Sequence, residues 1–484
     1  MCAGTSVHFC ALPVMSQQQL ESGSFRDRKA RVFYHKGGVY RVLSKEALSD
    51  WDALSATQFF PRLSEAGKII RTEKLDSFNS PEVQPQGHWA GVLKHERIPF
   101  ISYPYEWSFG MLKDAALLQL ELLLVALNED LILKDSSAFN VQWKGAVPTF
   151  IDITSFEKLV SGEPWVGYRQ FCQLFLYPLL LQAYKDVPFQ PWLRGSLDGI
   201  DSEHCEHLMS ARDFLRPGIF THVFMQARMQ SRLGNSQRDV KTDLRKAGFS
   251  KQLIVSNVER IQKLIHGLRW DPGKSVWADY AVTNTYSEKD QERKVAFVRE
   301  VVHSRFWELT YDLGSNTGAF SRIAAENSRY VVALDADQLA VERLFQALKA
   351  EGVKTILPLV NNLADPSPNL GWRGLERKAL ANRTKPELVL CLALVHHLVI
   401  SANIPLGEFV EWLASLGADL VIEFITKEDA MVQTLLRNKE DNYSDYDKEY
   451  FKECLSAAFN VVRHEKLDSG RRILYYAKSK QPAM

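Results

Sequence analysis

The sequence predicts an α/β protein whose C-terminal half is a parallel sheet closed by an antiparallel pair, preceded by a separate α+β module. Three observations carry that expectation. After Glu308, short apolar runs alternate with helical patterns. The first of these runs turns through two glycines into a helix, and the second ends in an acid about 20 residues further on.

The first run is Tyr311-Asp312-Leu313-Gly314-Ser315-Asn316-Thr317-Gly318-Ala319-Phe320. Gly314 and Gly318 stand where a buried strand must turn into a helix, and residues without a Cβ let the backbone approach a ligand there. The second run, Val331-Val332-Ala333-Leu334-Asp335, puts a carboxylate at a strand end, where it can accept both hydroxyls of a ribose. Together they read as a βαβ unit holding a nucleoside cofactor. Asp312 selects among such cofactors. A dinucleotide pyrophosphate would be repelled by a carboxylate two residues before the first glycine, whereas the sulfonium and ammonium of S-adenosylmethionine are favoured by one. Asn316 also stands in the region of the middle glycine of the dinucleotide fingerprint. The expected cofactor is therefore S-adenosylmethionine, held by Asp312, Gly314, Ser315, Asn316, Gly318 and Asp335.

From the N-terminus, residues 1–22 lack the basic start and continuous apolar core of a secretory signal and read as a disordered tail. Arg31–Tyr34 and Val39–Leu43 flank Lys36-Gly37-Gly38, a hairpin signal. A helical stretch near Lys45–Ala66 follows, then an aromatic segment, Pro99–Trp107, and a long helix from about Phe109 to Asn128 with Leu112, Ala116, Leu120 and Leu123 on one face. Residues 165–270 read as mostly helical, broken at Pro188, Pro191 and Pro217, and Ser250–Leu268 places Leu253, Val258, Ile261, Leu264 and Ile265 near one face. The segment Trp277–Tyr286 leads into a helix containing Lys294 and Val298. Strands are then expected to Leu313 and at 330–334, 355–360, 387–393 and 419–424. A closing pair at 459–465 and 472–477 is joined across Asp468-Ser469-Gly470. Seven strands with the last pair antiparallel make the Rossmann-like arrangement of class I methyltransferases.

In such sheets ligands sit outside the carboxyl ends of the strands. Asn362 or Asp365 would meet the adenine edge, with Asp365 equally readable as a turn residue before Pro366. Cys391-Leu392-Ala393-Leu394-Val395-His396-His397-Leu398 resembles the fourth-strand segment of small-molecule methyltransferases. His396 or His397 there could be a general base with a pKa near neutrality, or a helix cap and an exposed side chain. Glu423 could orient an acceptor or simply bind backbone. Because the sulfonium already activates the methyl carbon, positioning can supply most of the acceleration, and a base matters only if the nucleophile arrives protonated.

The composition narrows the class. Hydrophobic residues make up 46% and charged residues 24% of 484, as in soluble globular proteins, and the length calls for two or three domains. A formal net charge of +1 gives no global reason to expect nucleic acid. Six scattered cysteines without a Cys-x-x-Cys pair fit reduced thiols in a cytosol. His204-Cys205-Glu206-His207 lacks a second ligand cluster and reads as an exposed loop rather than a metal site. The apolar stretches Ala115–Leu127 and Phe171–Leu181 are too short or too interrupted to span a bilayer of about 30 Å.

Gly23-Ser24-Phe25-Arg26-Asp27, Tyr103–Phe109, Leu133-Lys134-Asp135, Phe139-Asn140-Val141-Gln142, Phe150-Ile151-Asp152 and Ile422-Glu423-Phe424 with Lys427–Val432 together resemble a bacterial family of two-module proteins, some described as host-specificity nodulation proteins. The resemblance covers Gly23 to Lys478. It implies a C-terminal class I methyltransferase, S-adenosylmethionine-dependent methyl transfer and a cytoplasmic location, with mostly unassigned acceptors. Within the N-terminal half, Asp135-x-x-x-x-Asn140 followed by Asp152 resembles the catalytic loop and metal-binding aspartate of kinases. The preceding glycine-rich loop, the His-Arg before the first Asp and the Phe-Gly after the second are absent.

The expected organisation is a tail at 1–22, an α+β and kinase-like domain at 23–205, a helical connector at 206–275 and the methyltransferase at 276–480. The expected function is methyl transfer to a small-molecule or carrier-bound acceptor, with no membrane, no clear nucleic acid and no metal. The competing readings are an ATP- and magnesium-dependent phosphotransferase and a scaffold that binds S-adenosylmethionine without turnover.

Overall fold

The computed structural model describes residues 19–75, 89–228, 250–273, 287–437, 439 and 442–480. The expected tail up to residue 18 and the segment Trp277–Tyr286 lie outside them. The chain divides into two compact units, Met1–Arg97 and Ile98–Met484.

The first unit is a five-stranded antiparallel sheet. Strands β1 (Gln19–Leu20), β2 (Ala30–His35), β3 (Gly38–Leu43), β4 (Thr72–Lys74) and β5 (Gly91–His95) are ordered β1-β2-β3-β5-β4. The β2–β3 hairpin turns at Lys36 and Gly37, with φ of 47° and 77°, the conformation a tight two-residue turn requires. Phe33, Val42 and Val92 form a buried cluster on the sheet. The expected single helical stretch is two helices, Lys45–Ser55 and Phe59–Glu65. The Ser44 hydroxyl caps the first by accepting from the Ala47 N–H at 3.3 Å.

In the second unit the helix Phe109–Asn128, capped by Ser108, leads into β6 (Leu131–Leu133), β7 (Val141–Lys144), β8 (Val147–Phe150) and β9 (Phe156–Lys158). Strands β6 and β9 pair with each other, as do β7 and β8. The sequence His204–His207 is helical rather than a loop: Asp201 caps the helix Ser202–His207, and Cys205 is buried against the core. The four described cysteines, Cys172, Cys205, Cys391 and Cys454, are free thiols. The helix Lys251–Gly267 packs along Phe109–Asn128 through Ile254, Val258, Ile261 and Ile265. Its buried stripe is thus phased on Ile254, and Leu253 is exposed.

The large sheet contains β10 (Thr310–Leu313), β11 (Val331–Asp335), β12 (Ile356–Val360), β13 (Leu388–Cys391), β14 (Asp419–Ile425), β15 (Phe459–Lys466) and β16 (Arg472–Ser479). Its order is β12-β11-β10-β13-β14-β16-β15. The five strands β10–β14 are parallel, and β16 inserts antiparallel between β14 and β15. The strand order reverses between β10 and β13, which opens a crevice at their carboxyl ends. Strands buried on both faces explain the near-continuous apolar runs at β10, β11 and β13, all of whose residues but Asp335 are buried.

Residues 98–228 do not form a body separate from this sheet. Phe100 packs edge-on against Tyr311, Trp143 against Phe345, and the Gly145 N–H donates to the Tyr330 hydroxyl at 2.9 Å. The Gly110 N–H at the start of the long helix donates to the Glu342 carboxylate on the helix Gln338–Glu351 at 2.7 Å. The compact division falls after Arg97. Among the described residues, no helix is long and apolar enough to cross a membrane.

Candidate functional site

The loop after β10 wraps a carboxylate from β11. Gly314 and Ser315 donate their N–H groups to the Leu334 carbonyl at 2.8 and 3.0 Å. Gly314, Asn316 and Gly318 all adopt positive φ (75°, 48° and 82°), and a Cβ on Gly318 would lie 2.5 Å from Leu344 Cδ1. Gly318 is thus required both by its backbone conformation and by space. Asp335 accepts from the Asn316 N–H at 2.7 Å and from the Asp337 N–H at 2.8 Å. Two such bonds leave carboxylate lone pairs for the hydroxyls of a ligand. Burial raises the Asp335 carboxyl above its ordinary range, against the opposing pull of these N–H groups.

Asp312 lies beneath this loop, 2% exposed, and accepts from the Ser321 hydroxyl at 2.6 Å. Burial pushes its carboxyl up to about 6, with the Ser321 bond pulling the other way. An anionic site this dry is poised for a cationic ligand group.

Three of the sequence-predicted adenine and acceptor residues are held by contacts within the protein. Asn362 is exposed and accepts the Ala364 N–H in a turn at 3.0 Å. Asp365 is turned outward to Arg194, which holds both carboxylate oxygens at 3.0 and 2.8 Å. It is Asn361 that is buried at the end of β12, with its N–H on the Asp335 carbonyl at 2.7 Å. The third is Glu423, fully buried on β14, which accepts from Lys294 Nζ at 2.8 Å and from the Ala393 N–H at 3.0 Å. Arg472 Nη1 stands 3.6 Å from its other oxygen, and Arg472 Nε donates to Asp429 at 2.9 Å. Of the two sequence readings for Glu423, the backbone hydrogen bond is the one present. That bond fixes Ala393, at φ 52°, in the loop after β13.

His396 and His397 follow that loop with ring centroids 4.1 Å apart. The expectation of a near-neutral pKa fails for both. Burial holds His396 well below its ordinary value, reinforced by His397, Arg472 and Lys294, and burial lowers His397 to about 4. Both are neutral at physiological pH.

Among the described residues, Ser315 Oγ, Asn361 Oδ1 and His396 Nδ1 are three of the buried polar atoms that have no hydrogen-bond partner. They belong to the loops after β10, β12 and β13, around the crevice. Orphaned buried groups are rare in proteins, and this grouping fits a polar ligand bound there. The donor set fits S-adenosylmethionine, with carboxylates at Asp312 and Asp335 and a left-handed loop between them.

A second constellation lies among residues 98–228. Asp135 is raised first by burial and next by the charge of Asp152, and a hydrogen bond from Asn140 opposes both. The three residues of the kinase-like pattern therefore converge. Asp152 is engaged by its own turn, accepting from Thr154 at 2.7 Å and Ser155 at 2.6 Å.

Sequence reasoning passed over Lys294, Arg472, Asn361 and the pair Glu106–Arg383. Glu106 was legible only as part of an aromatic motif, although a buried acid beside Tyr103-Pro104-Tyr105 is a signal that a cation must face it.

The strand order, the loop after β10 and the carboxylate ending β11 define the C-terminal module as a class I S-adenosylmethionine-dependent methyltransferase fold. No protein-family model matches the chain. The chain belongs to the family of the nodulation protein NoeA: it is 36% identical to NoeA of Rhizobium meliloti (strain 1021) over 456 residues, 94% of this chain and 95% of the relative. Among solved structures, it is similar to the N-methyltransferase NodS of Bradyrhizobium japonicum WM9 in complex with S-adenosyl-L-homocysteine, at 13% identity over 40% of this chain and 90% of that one, with a TM-score of 0.30. It is also similar to the magnesium protoporphyrin IX methyltransferase ChlM of Synechocystis PCC 6803, at 16% identity over 42% and 93% of the chains, with a TM-score of 0.29.

Proposed function

We propose that the C-terminal module transfers a methyl group from S-adenosylmethionine to a small-molecule or carrier-bound acceptor. The observation that carries this reading is the Asp335 carboxylate, bound to the Asn316 N–H of the glycine loop and retaining acceptor capacity at the carboxyl edge of β11. In this reading Asp312, Gly314, Ser315, Asn316 and Gly318 surround the amino-acid end, Asp335 holds the ribose, and Asn361 replaces Asn362 and Asp365 at the adenine edge. The cofactor supplies a methyl carbon already activated by its sulfonium, and this chain supplies position. Asp312 places negative charge in a dry site. Glu423 and Lys294 hold the Ala393 loop, so Glu423 orients the site instead of exchanging protons. His396 and His397 border the acceptor as neutral side chains, able to accept a hydrogen bond but weak as bases, which favours an acceptor whose nucleophile arrives unprotonated.

The expected acceptor class is tested by incubating the protein with methyl-labelled S-adenosylmethionine and fractionated bacterial extract, with Asp335→Ala as control. Label in an extractable small product, absent with the variant, supports the proposal. Label confined to nucleic acid, or to protein side chains from which no labelled small product is released by cleaving a carrier, contradicts it. The convergence of Asp135, Asn140 and Asp152 keeps a phosphotransferase as the second reading. The engagement of both Asp152 oxygens by Thr154 and Ser155 weighs against it, because those oxygens would have to hold magnesium.

A further inference from the structure

One edge of the cofactor crevice rests on a side chain from far earlier in the chain. Asn361 directly follows β12, is 5% exposed, and has an amide whose two ends are alike in shape. Its hydrogen bonds decide which end points where. Glu106, itself 1% exposed, faces Arg383 with both oxygens, receiving Nη2 at 2.7 Å and Nη1 at 2.8 Å. A carboxylate paired in this way only accepts. Ser367 Oγ lies 2.5 Å from Glu106 Oε1 and must direct its one proton there. Towards Asn361, 3.1 Å away, Ser367 can then only accept. This places Asn361 Nδ2 against Ser367 and turns Oδ1 to the opposite side, where it is buried without a hydrogen-bond partner. An orphaned acceptor at the carboxyl edge of a strand, next to the residue read as the ribose ligand, calls for a donor from a ligand.

We infer that the relay Glu106–Ser367 fixes Asn361 as a hydrogen-bond acceptor for the 6-amino group of the cofactor's base, so that base selectivity depends on the Tyr103–Trp107 segment. The inference rests on the cofactor reading above. Asn361 is the contact, and Ser367 and Glu106 are positioning residues. A 6-oxo base would set an acceptor against Oδ1 and be rejected. An amide free to turn over would offer Nδ2 instead and tolerate such a base.

The test is calorimetric titration of the full chain with S-adenosylhomocysteine and with its deaminated analogue, S-inosylhomocysteine. The wild type should prefer the adenosyl ligand by about tenfold or more. Ser367→Ala leaves the Glu106–Arg383 pair in place and should lose most of that preference, with the adenosyl ligand weaker and the inosyl ligand tighter. Ser367→Thr, which keeps the hydroxyl, should restore it, and Asn361→Leu should lose it independently. Parallel weakening of both ligands with an unchanged ratio in Ser367→Ala would overturn the relay, as would a wild type that binds both equally. A wild type that binds neither overturns the cofactor reading itself, and the inference with it.

Discussion

Replacing Asp312 by Asn should stabilise the free protein while impairing it as a receptor for a cationic cofactor. The side chain is 2% exposed and its carboxyl is displaced from 3.8 to about 6, chiefly by burial. A displacement of about 2 on the pH scale corresponds to about 3 kcal/mol. Because the native pKa is the raised one, the native state keeps its proton where the unfolded chain has lost it. Stability therefore falls as pH rises from about 4 to about 6, and the full cost is present above that window. An amide at this position carries no such cost and can still accept from Ser321. Asp312→Asn should thus exceed the wild type in unfolding free energy by about 3 kcal/mol at pH 8, and by roughly half as much at pH 5. Affinity for S-adenosylmethionine should move the opposite way, falling by at least about tenfold at pH 8 as the attraction to the sulfonium and ammonium is lost. Denaturant unfolding at both pH values and calorimetry at pH 8 provide the readings. A variant less stable than the wild type at pH 8, or one that binds the cofactor as tightly, would refute the reasoning.

Arg383→Met should cost about 3–5 kcal/mol by leaving Glu106 buried opposite an apolar side chain, and adding Glu106→Gln should recover part of it in denaturant unfolding. The same logic applies to Lys294 and Glu423: Lys294→Met should destabilise more than the double variant with Glu423→Gln, a coupling a double-mutant cycle measures. Additive losses would mean the pair does not act as a unit. His397, lowered from 6.5 to about 4, should show no imidazole titration by NMR between pH 5.5 and 8. As pH falls from about 6.5 towards 4, the unfolded chain takes up a proton that native His397 refuses, so its contribution to stability is lost across that window. A midpoint near 6.5 would contradict its burial.

Much of the fold is written locally. The alternation of apolar runs locates β10, β11 and β13, Gly37 marks the β2–β3 turn, and Ser108, Ser250 and Asp337 cap the helices that follow them. Asp335 and the loop from Gly314 to Gly318 were legible because strand, turn and acid lie within one βαβ unit. What escaped was set by distant partners or by phase. Asn361 and Asn362 are adjacent and chemically identical, and only the exact end of β12 decides which is buried. Asp365 is claimed by Arg194, 171 positions away, and Glu106 by Arg383, 277 positions away. The low basicity of His396 and His397 comes from tertiary burial, which the sequence pattern of a histidine pair does not encode. The early domain boundary follows from Phe100, Gly110 and Trp143 packing on the helices and strands of the large sheet, contacts no local signal announces.

The central claim is that the loop from Gly314 to Gly318 and Asp335 bind S-adenosylmethionine. Calorimetric titration of the purified chain with S-adenosylmethionine and S-adenosylhomocysteine, alongside magnesium-ATP and repeated on Asp335→Ala, tests it most directly. S-adenosylmethionine should bind in the micromolar range, and the variant should lose that binding while remaining folded. Tight magnesium-ATP binding with no S-adenosylmethionine binding would contradict it and move the active site to Asp135, Asn140 and Asp152.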